Sequence, residues 1–187
     1  MLARNNSYLY EYISFVKKQG VLYRCIKNEE NFTSSIQREL SVVRAFIYKQ
    51  KHHIYPTDVD GMRVQQYLKE GYNCRQGEKW YESLNIDEDN VEYYQRLIDM
   101  DVNTDDVNVT ISSIHGVKGG EADNVVVMLD MSRNTYKNYI INPDSELRVL
   151  YVACTRAKKN LFIYPTHKSK LGYDTNLKLK GYGGKIC

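Results

Sequence analysis

No run of the 187 residues is apolar for long enough to cross a bilayer as a helix, and no basic-then-apolar leader opens the chain. Neither a membrane span nor a secretory signal is legible. Four cysteines stand far apart, at positions 25, 74, 154 and 187, with no Cys-x-x-Cys pair, which leaves neither a zinc knuckle nor a disulfide framework. The chain is expected to be cytoplasmic, in a reducing environment, with no membrane partner and no metal site of its own; His52-His53 has no nearby partners and is expected to be exposed. A third absence concerns phosphate chemistry. There is no Gly-x-x-x-x-Gly-Lys-Ser/Thr loop and no strand ending in an acidic pair that would hold magnesium. The nearest candidate, Gly116-Val117-Lys118-Gly119-Gly120, lacks both the spacing and the hydroxyl, so a complete small NTPase is disfavoured. Charge of one sign is scarce too: 26 Lys and Arg face 23 Asp and Glu, and a net +3 is too mild to indicate nucleic acid by itself. Lys158, Lys159, Lys168, Lys170, Lys178 and Lys180 do weight the C-terminal part positively.

What is present is concentrated in residues 107–163. A β-branched run at 107–114 and a second at 125–129 read as buried strands, and Ser113-Ile114-His115-Gly116-Val117-Lys118-Gly119-Gly120-Glu121 reads as the loop joining them. Its glycines allow tight backbone turns and bring N–H groups near a ligand, while His115, Lys118 and Glu121 supply an imidazole, a cation and a carboxylate. Asn142-Pro143 then opens a helix, Asn as cap and Pro at the first helical position. Leu147, Leu150, Tyr151 and Cys154 fall at i, i+3, i+4 and i+7 and are expected to form its buried face, with Arg148 and Arg156 directed elsewhere. A last strand follows at 161–164.

Upstream, residues 1–4 read as the end of a strand, and Asn5-Asn6-Ser7 as caps for a helix carrying Leu9, Tyr12, Ile13 and Val16. Gly20 reads as its left-handed stop, and residues 21–26 as the next strand, which completes a β-α-β unit. Residues 27–106 change character. Ile36, Leu40, Val43 and Ile47 form one helical stripe, a second helix starts at Thr57 with Asp60 in the capping-box position and ends before Gly71, and Val91, Tyr94, Leu97 and Ile98 mark a third. Tyr72, Trp80, Tyr81, Tyr93 and Tyr94 suit the core of so short a helical insert better than base stacking. Residues 131–141 show no periodicity and read as a loop, and 167–187 as a flexible C-terminal tail.

Together the two pieces around the loop and the second helix resemble the UvrD/Rep-like superfamily 1 helicases, in which a Thr-x-His-x-x-Lys-Gly-x-Glu loop is followed by a helix reading Tyr-Val-Ala-x-Thr-Arg-Ala. The corresponding residues are Ser113, His115, Lys118, Gly119 and Glu121, then Tyr151, Val152, Ala153, Thr155, Arg156 and Ala157. Arg4, Asn5, Gly20 and Tyr23 extend the resemblance to a Leu-x-Arg-Ser/Thr-Asn…Gly-x-x-Tyr segment, where their expected role is structural. The chain departs from the family in having Gly120-Glu121-Ala122 where Leu-Glu-Phe is usual.

The resemblance implies an α/β fold, a RecA-like parallel sheet flanked by helices as in the second motor domain of P-loop NTPase-like helicases. That domain would be discontinuous, 1–26 and 107–166, around the small helical subdomain 27–106. It implies ATP and Mg2+ held mainly by an N-terminal motor domain, so that this chain is expected to be a fragment of a longer, ATP-dependent DNA helicase and inactive alone. Arg156 would be the catalytic cation at the γ-phosphate, with Gly119 and Glu121 also at the ATP, Glu121 on the ribose. Ser113, His115 and Lys118 would contact single-stranded DNA. The rival reading is a non-catalytic nucleic-acid or protein-binding module with a helicase-like fold.

Overall fold

A computed structural model describes residues 1–27, 30–31, 33–57, 61–105, 107–117, 119–166 and 171–173. In chain order the elements are β1 (Leu2–Ala3), α1 (Leu9–Lys18), β2 (Tyr23–Lys27), β3 (Glu30–Asn31), α2 (Thr33–His52), α3 (Gly61–Tyr67), α4 (Trp80–Ser83), α5 (Glu88–Asp99), β4 (Val109–Ser113), β5 (Ala122–Met128), α6 (Arg133–Ile141), α7 (Pro143–Cys154) and β6 (Ala157–Tyr164). The strands form one sheet in the order β3-β2-β4-β1-β5-β6. Five of them make a parallel sheet flanked by helices, the α/β arrangement expected of a RecA-like domain, and β3 adds antiparallel to β2 at one edge.

The chain divides into two compact units. The first comprises Met1–Phe15, Cys25–Asn31 and Val109–Cys187. β1 is only two residues long yet central: Leu2 lies opposite Ser112 of β4 and Val127 of β5, and both Leu2 and Ala3 are buried. Strands covered on both faces need side chains that pack on either side, which is why 109–114 and 125–129 are nearly continuous in apolar and β-branched residues. The core here gathers Leu2, Ile114, Val125, Val127, Leu150 and Ala153.

Two expectations are corrected in this unit. Residues 133–141 form α6 rather than a loop. Ser132 caps it, accepting the Thr135 N–H on Oγ, while Asn5 holds the same turn by accepting from the Ser132 N–H at 2.9 Å and donating to Thr135 Oγ1 at 3.0 Å. Periodicity fails to reveal it because only Thr135 along the helix is buried. In α7 the buried residues are Glu146, Leu150 and Ala153; of the expected Leu147, Leu150, Tyr151 and Cys154, Leu150 is buried and Cys154 packs partly buried against the core, whereas Tyr151 is 70% exposed and Leu147 also faces out. An acidic residue takes the inner position because Arg4 pairs with it, and no hydrophobic pattern can register that.

The second unit comprises Val16–Arg24 and Phe32–Asn108. Leu40 and Val43 of the expected α2 stripe are buried, joined by Val42, Ala45 and Phe46, with Ile36 and Ile47 half-buried. α3 starts at Gly61, and the Asp60 proposed in its cap lies outside the described residues. Trp80, Tyr93 and Tyr94 are buried, as a helical core requires; Trp80 donates to Gln95 Oε1 at 3.0 Å and Tyr94 to Glu39 Oε2 at 2.7 Å. Gly20, at φ +63°, ends α1 with the Val21 N–H bonding the Val16 carbonyl, a left-handed stop as read. His52 and His53 are exposed.

Candidate functional site

The loop after β4 begins with a tight turn. The Gly116 N–H bonds both the carbonyl and the Oγ of Ser113, each at 3.1 Å. Gly116 has no positive φ; glycine is needed for space, since a Cβ there would sit 2.8 Å from Ser112 Oγ. Gly119, at φ +77°, is the loop residue whose backbone itself favours glycine. His115, Gly119 and Glu121 are exposed and Ser113 is half-buried, with its hydroxyl occupied by the turn. Lys118 lies outside the described residues.

Arg156, just past the end of α7, reaches this loop. Its Nε donates to the Val152 carbonyl at 3.0 Å, Nη1 to the Gly120 carbonyl at 3.4 Å and Nη2 to Thr155 Oγ1 at 3.4 Å. The Arg156 carbonyl in turn accepts from the Ala122 N–H at 3.0 Å. Both the backbone and the guanidinium therefore join the two motifs, although they lie 36 residues apart. Glu121, beside that junction, meets Lys158 Nζ at 3.4 Å; one step along, Lys159 meets Asp123 at 2.7 Å and Asn160 meets Asn124 at 2.8 Å. Lys158 and Lys159 are thus partnered by acids rather than left as bare positive charge.

Residues that sequence reasoning assigned no chemistry hold this arrangement. Arg4, at the end of β1, makes a two-pronged bond to Glu146 of α7: Nε to Oε2 at 2.7 Å and Nη2 to Oε1 at 2.9 Å. The Arg4 hydrogen bond holds the Glu146 carboxyl below its ordinary range against the opposing effect of burial, with smaller contributions from the Arg4 charge and from His115. Tyr173, buried, donates to the Glu146 carbonyl at 3.1 Å. The signal that could have found Glu146 is a carboxylate at i−4 from the buried Leu150, with an arginine at a strand end to receive it.

Among the described residues, no three His, Cys, Asp or Glu side chains stand together as metal ligands. No described helix is long and apolar enough to cross a membrane.

Residues 95–168 match the family model of the UvrD-like helicase C-terminal domain. This stretch is similar to the C-terminal domains of UvrD/Rep-like helicases. The match begins within α5 and runs through β6, so it contains both motifs and the Arg156–Gly120 junction between them. A UvrD-like match supports a helicase domain and a nucleic-acid partner. No curated protein and no solved structure matches the chain.

Proposed function

We propose that the chain is the second motor domain of an ATP-dependent superfamily 1 DNA helicase, completing an ATP site and a single-stranded DNA track when joined to an N-terminal motor domain. The observation that carries this reading is the Arg156 guanidinium, held on the carbonyl of Gly120 at the junction of the two motifs. Its present acceptors are neutral carbonyls and a hydroxyl, and a γ-phosphate oxygen is a stronger partner for a cation. Exchanging one for the other lets Arg156 stabilise charge that builds on the transferred phosphoryl group. Arginines in this role are worth about 10³ to 10⁵ in rate. ATP and Mg2+ are held mainly by the N-terminal motor domain, while Gly119 and Glu121 meet the nucleotide. Glu121 exchanges Lys158 for the ribose.

The exposed Leu147 and Tyr151, one turn apart on the outer face of α7, support an apposed motor domain, since an apolar helix face of this kind is suited to a protein partner. Ser113, His115 and Lys118 form one half of the DNA track, residues 27–106 serve as the small inserted helical subdomain, and the protein works in the cytoplasm. The test compares the isolated chain with the same chain joined to its N-terminal motor domain. The isolated chain hydrolyses no ATP, the joined protein does, and Arg156→Ala lowers the joined rate by about 10³ or more. Hydrolysis that survives Arg156→Ala at the full rate would defeat the assignment and favour the non-catalytic module.

A further inference from the structure

α7 carries Arg156 just beyond its end, yet packing alone fixes little of that helix. Of its 12 residues, Leu150 and Ala153 are the buried apolar ones and Val149 and Cys154 are half-buried, while Leu147, Tyr151 and Val152 lie exposed. So thin an apolar stripe specifies the roll of a helix poorly. The remaining buried side chain, Glu146, supplies what the stripe lacks. Arg4 grips it with two N–H···O bonds, at 2.7 and 2.9 Å, and a fork of that kind fixes angle as well as distance. The same turn is held again by Tyr173, whose hydroxyl donates to the Glu146 carbonyl at 3.1 Å and whose ring lies edge-on to Tyr139 of α6 at 5.7 Å.

Stability does not account for the pair. A buried ion pair is close to neutral against apolar side chains of similar volume, because the desolvation of two charges offsets their attraction. What the pair adds is direction. Its position in the sheet also matters: Leu2 and Ala3 pair with Ser112 and Ser113, and the Ile114 N–H bonds the Ala3 carbonyl at 2.9 Å, so the chain leaves β4 for the Gly120 loop directly beside Arg4. The far end of α7 meets the same loop. There the Arg156 carbonyl accepts from the Ala122 N–H at 3.0 Å and the guanidinium reaches the Gly120 carbonyl at 3.4 Å. The Arg4–Glu146 fork and the Arg156–Gly120 junction thus bracket the helix, about 15 Å apart along it.

We propose that Arg4 and Glu146 are positioning residues for phosphoryl transfer: by fixing the roll and height of α7 they set where the Arg156 guanidinium stands. The proposal rests on the reading of Arg156 given above, and a misplacement of about 1 Å in an active site can cost about 10²-fold in rate. The variant Arg4→Met/Glu146→Met separates this from a purely structural role, because it keeps the interior filled and loses the fork. In the chain joined to its N-terminal motor domain it should lower kcat for ATP by about 10- to 100-fold while KM moves by less than about twofold, as when an interaction made only in the transition state is lost. Arg4→Lys keeps the charge without the fork and should fall between the parent and the double variant. In the isolated chain, NMR of both variants should show the Ala122 amide shifted and exchanging about 10-fold faster, with the Val127 amide unchanged. An Ala122 amide that does not move, or one that loses its protection only together with Val127, would overturn the proposal. Hydrolysis that survives Arg156→Ala defeats the reading of Arg156; the parent kcat in the double variant, with Arg156→Ala inactive, defeats the positioning role alone.

Discussion

The two units differ in what they bury. Among the described residues the sheet unit encloses Ser112, Asp130, Thr135 and Glu146, whereas the helical unit encloses one polar side chain, Ser83, satisfied locally by the Lys79 carbonyl at 2.9 Å. A buried polar group is costly unless partnered, so each one fixes the geometry of its partner. In the sheet unit those partners are the strand ends and helix turns that carry the motifs: Arg4 with Glu146, Asn5 with Thr135. The helical unit instead fills its centre with Phe46, Trp80, Tyr93 and Tyr94. Charge separates them as well, with 14 Lys and Arg against 9 Asp and Glu in the sheet unit and 12 against 14 in the helical one. The comparison teaches that paired buried polar groups fix the geometry of one unit, whereas aromatic and aliphatic bulk fills the other.

The largest expected effect would break the comparison if it failed. Phe46 is wholly buried in α2, and Phe46→Ala should cost about 3 to 5 kcal/mol. Trp80, the chain's only tryptophan, sits in the same unit and reports on it by fluorescence. Trp80 should lose its folded signal at lower denaturant than in the parent chain, while the amide of Val127 in the sheet unit keeps its exchange protection. Simultaneous loss of both would mean that the two units fold as one and that their different interiors carry no separate stability.

A smaller effect sharpens the other side. Arg4→Met leaves the Glu146 carboxylate buried without its partner and should cost about 3 kcal/mol, whereas Arg4→Met/Glu146→Met should recover more than half of that. The pair also sets a pH dependence. Because Arg4 depresses the Glu146 carboxyl in the fold, the stabilisation is complete above the ordinary carboxyl value of 4.5 and is lost as pH falls below it through the folded value. Glu146→Gln should flatten that acid limb in urea titrations at pH 3 to 6. An unchanged limb would mean that Glu146 does not link folding to protonation.

The sequence revealed what repeats along the chain and missed what acts across it. The β-branched runs at 109–113 and 125–128 announce buried strands, and Gly20 announces a helix stop through a conformation other residues avoid. The phase of α7 was misread because Glu146 looks like a surface residue until Arg4, 142 positions away, neutralises it. α6 is hard to read because its one buried residue, Thr135, is polar, and Tyr136 and Tyr139, which pack against the core, are only partly buried; a cap shared with Asn5 holds its first turn. At the site, the motifs brought Arg156 and the Gly120 loop to notice, but that the guanidinium rests on the Gly120 carbonyl is a matter of folding geometry alone.

The smallest expected effect concerns charge. Lys158 and Lys159 look in sequence like a basic cluster, yet in the fold they meet Glu121 and Asp123, so this corner of the sheet unit is close to neutral. Each pair is about half exposed or more, and exposed pairs contribute only about 0 to 1 kcal/mol. Lys159→Ala should therefore shift the unfolding midpoint barely at all. If the two lysines are occupied by their acids, the variant should also leave single-stranded DNA binding and its salt dependence unchanged, because a side chain that contacts no phosphate releases no counterion. If Lys159 does contact a phosphate, the log–log salt slope should fall by about 0.7, the amount expected for one lost contact on a single strand. Fluorescence anisotropy of a labelled oligonucleotide across a salt series separates the two outcomes. A loss of slope would show that Asp123 gives up its lysine when DNA arrives, and that the positive charge of the sheet unit is more available than its resting pairs suggest.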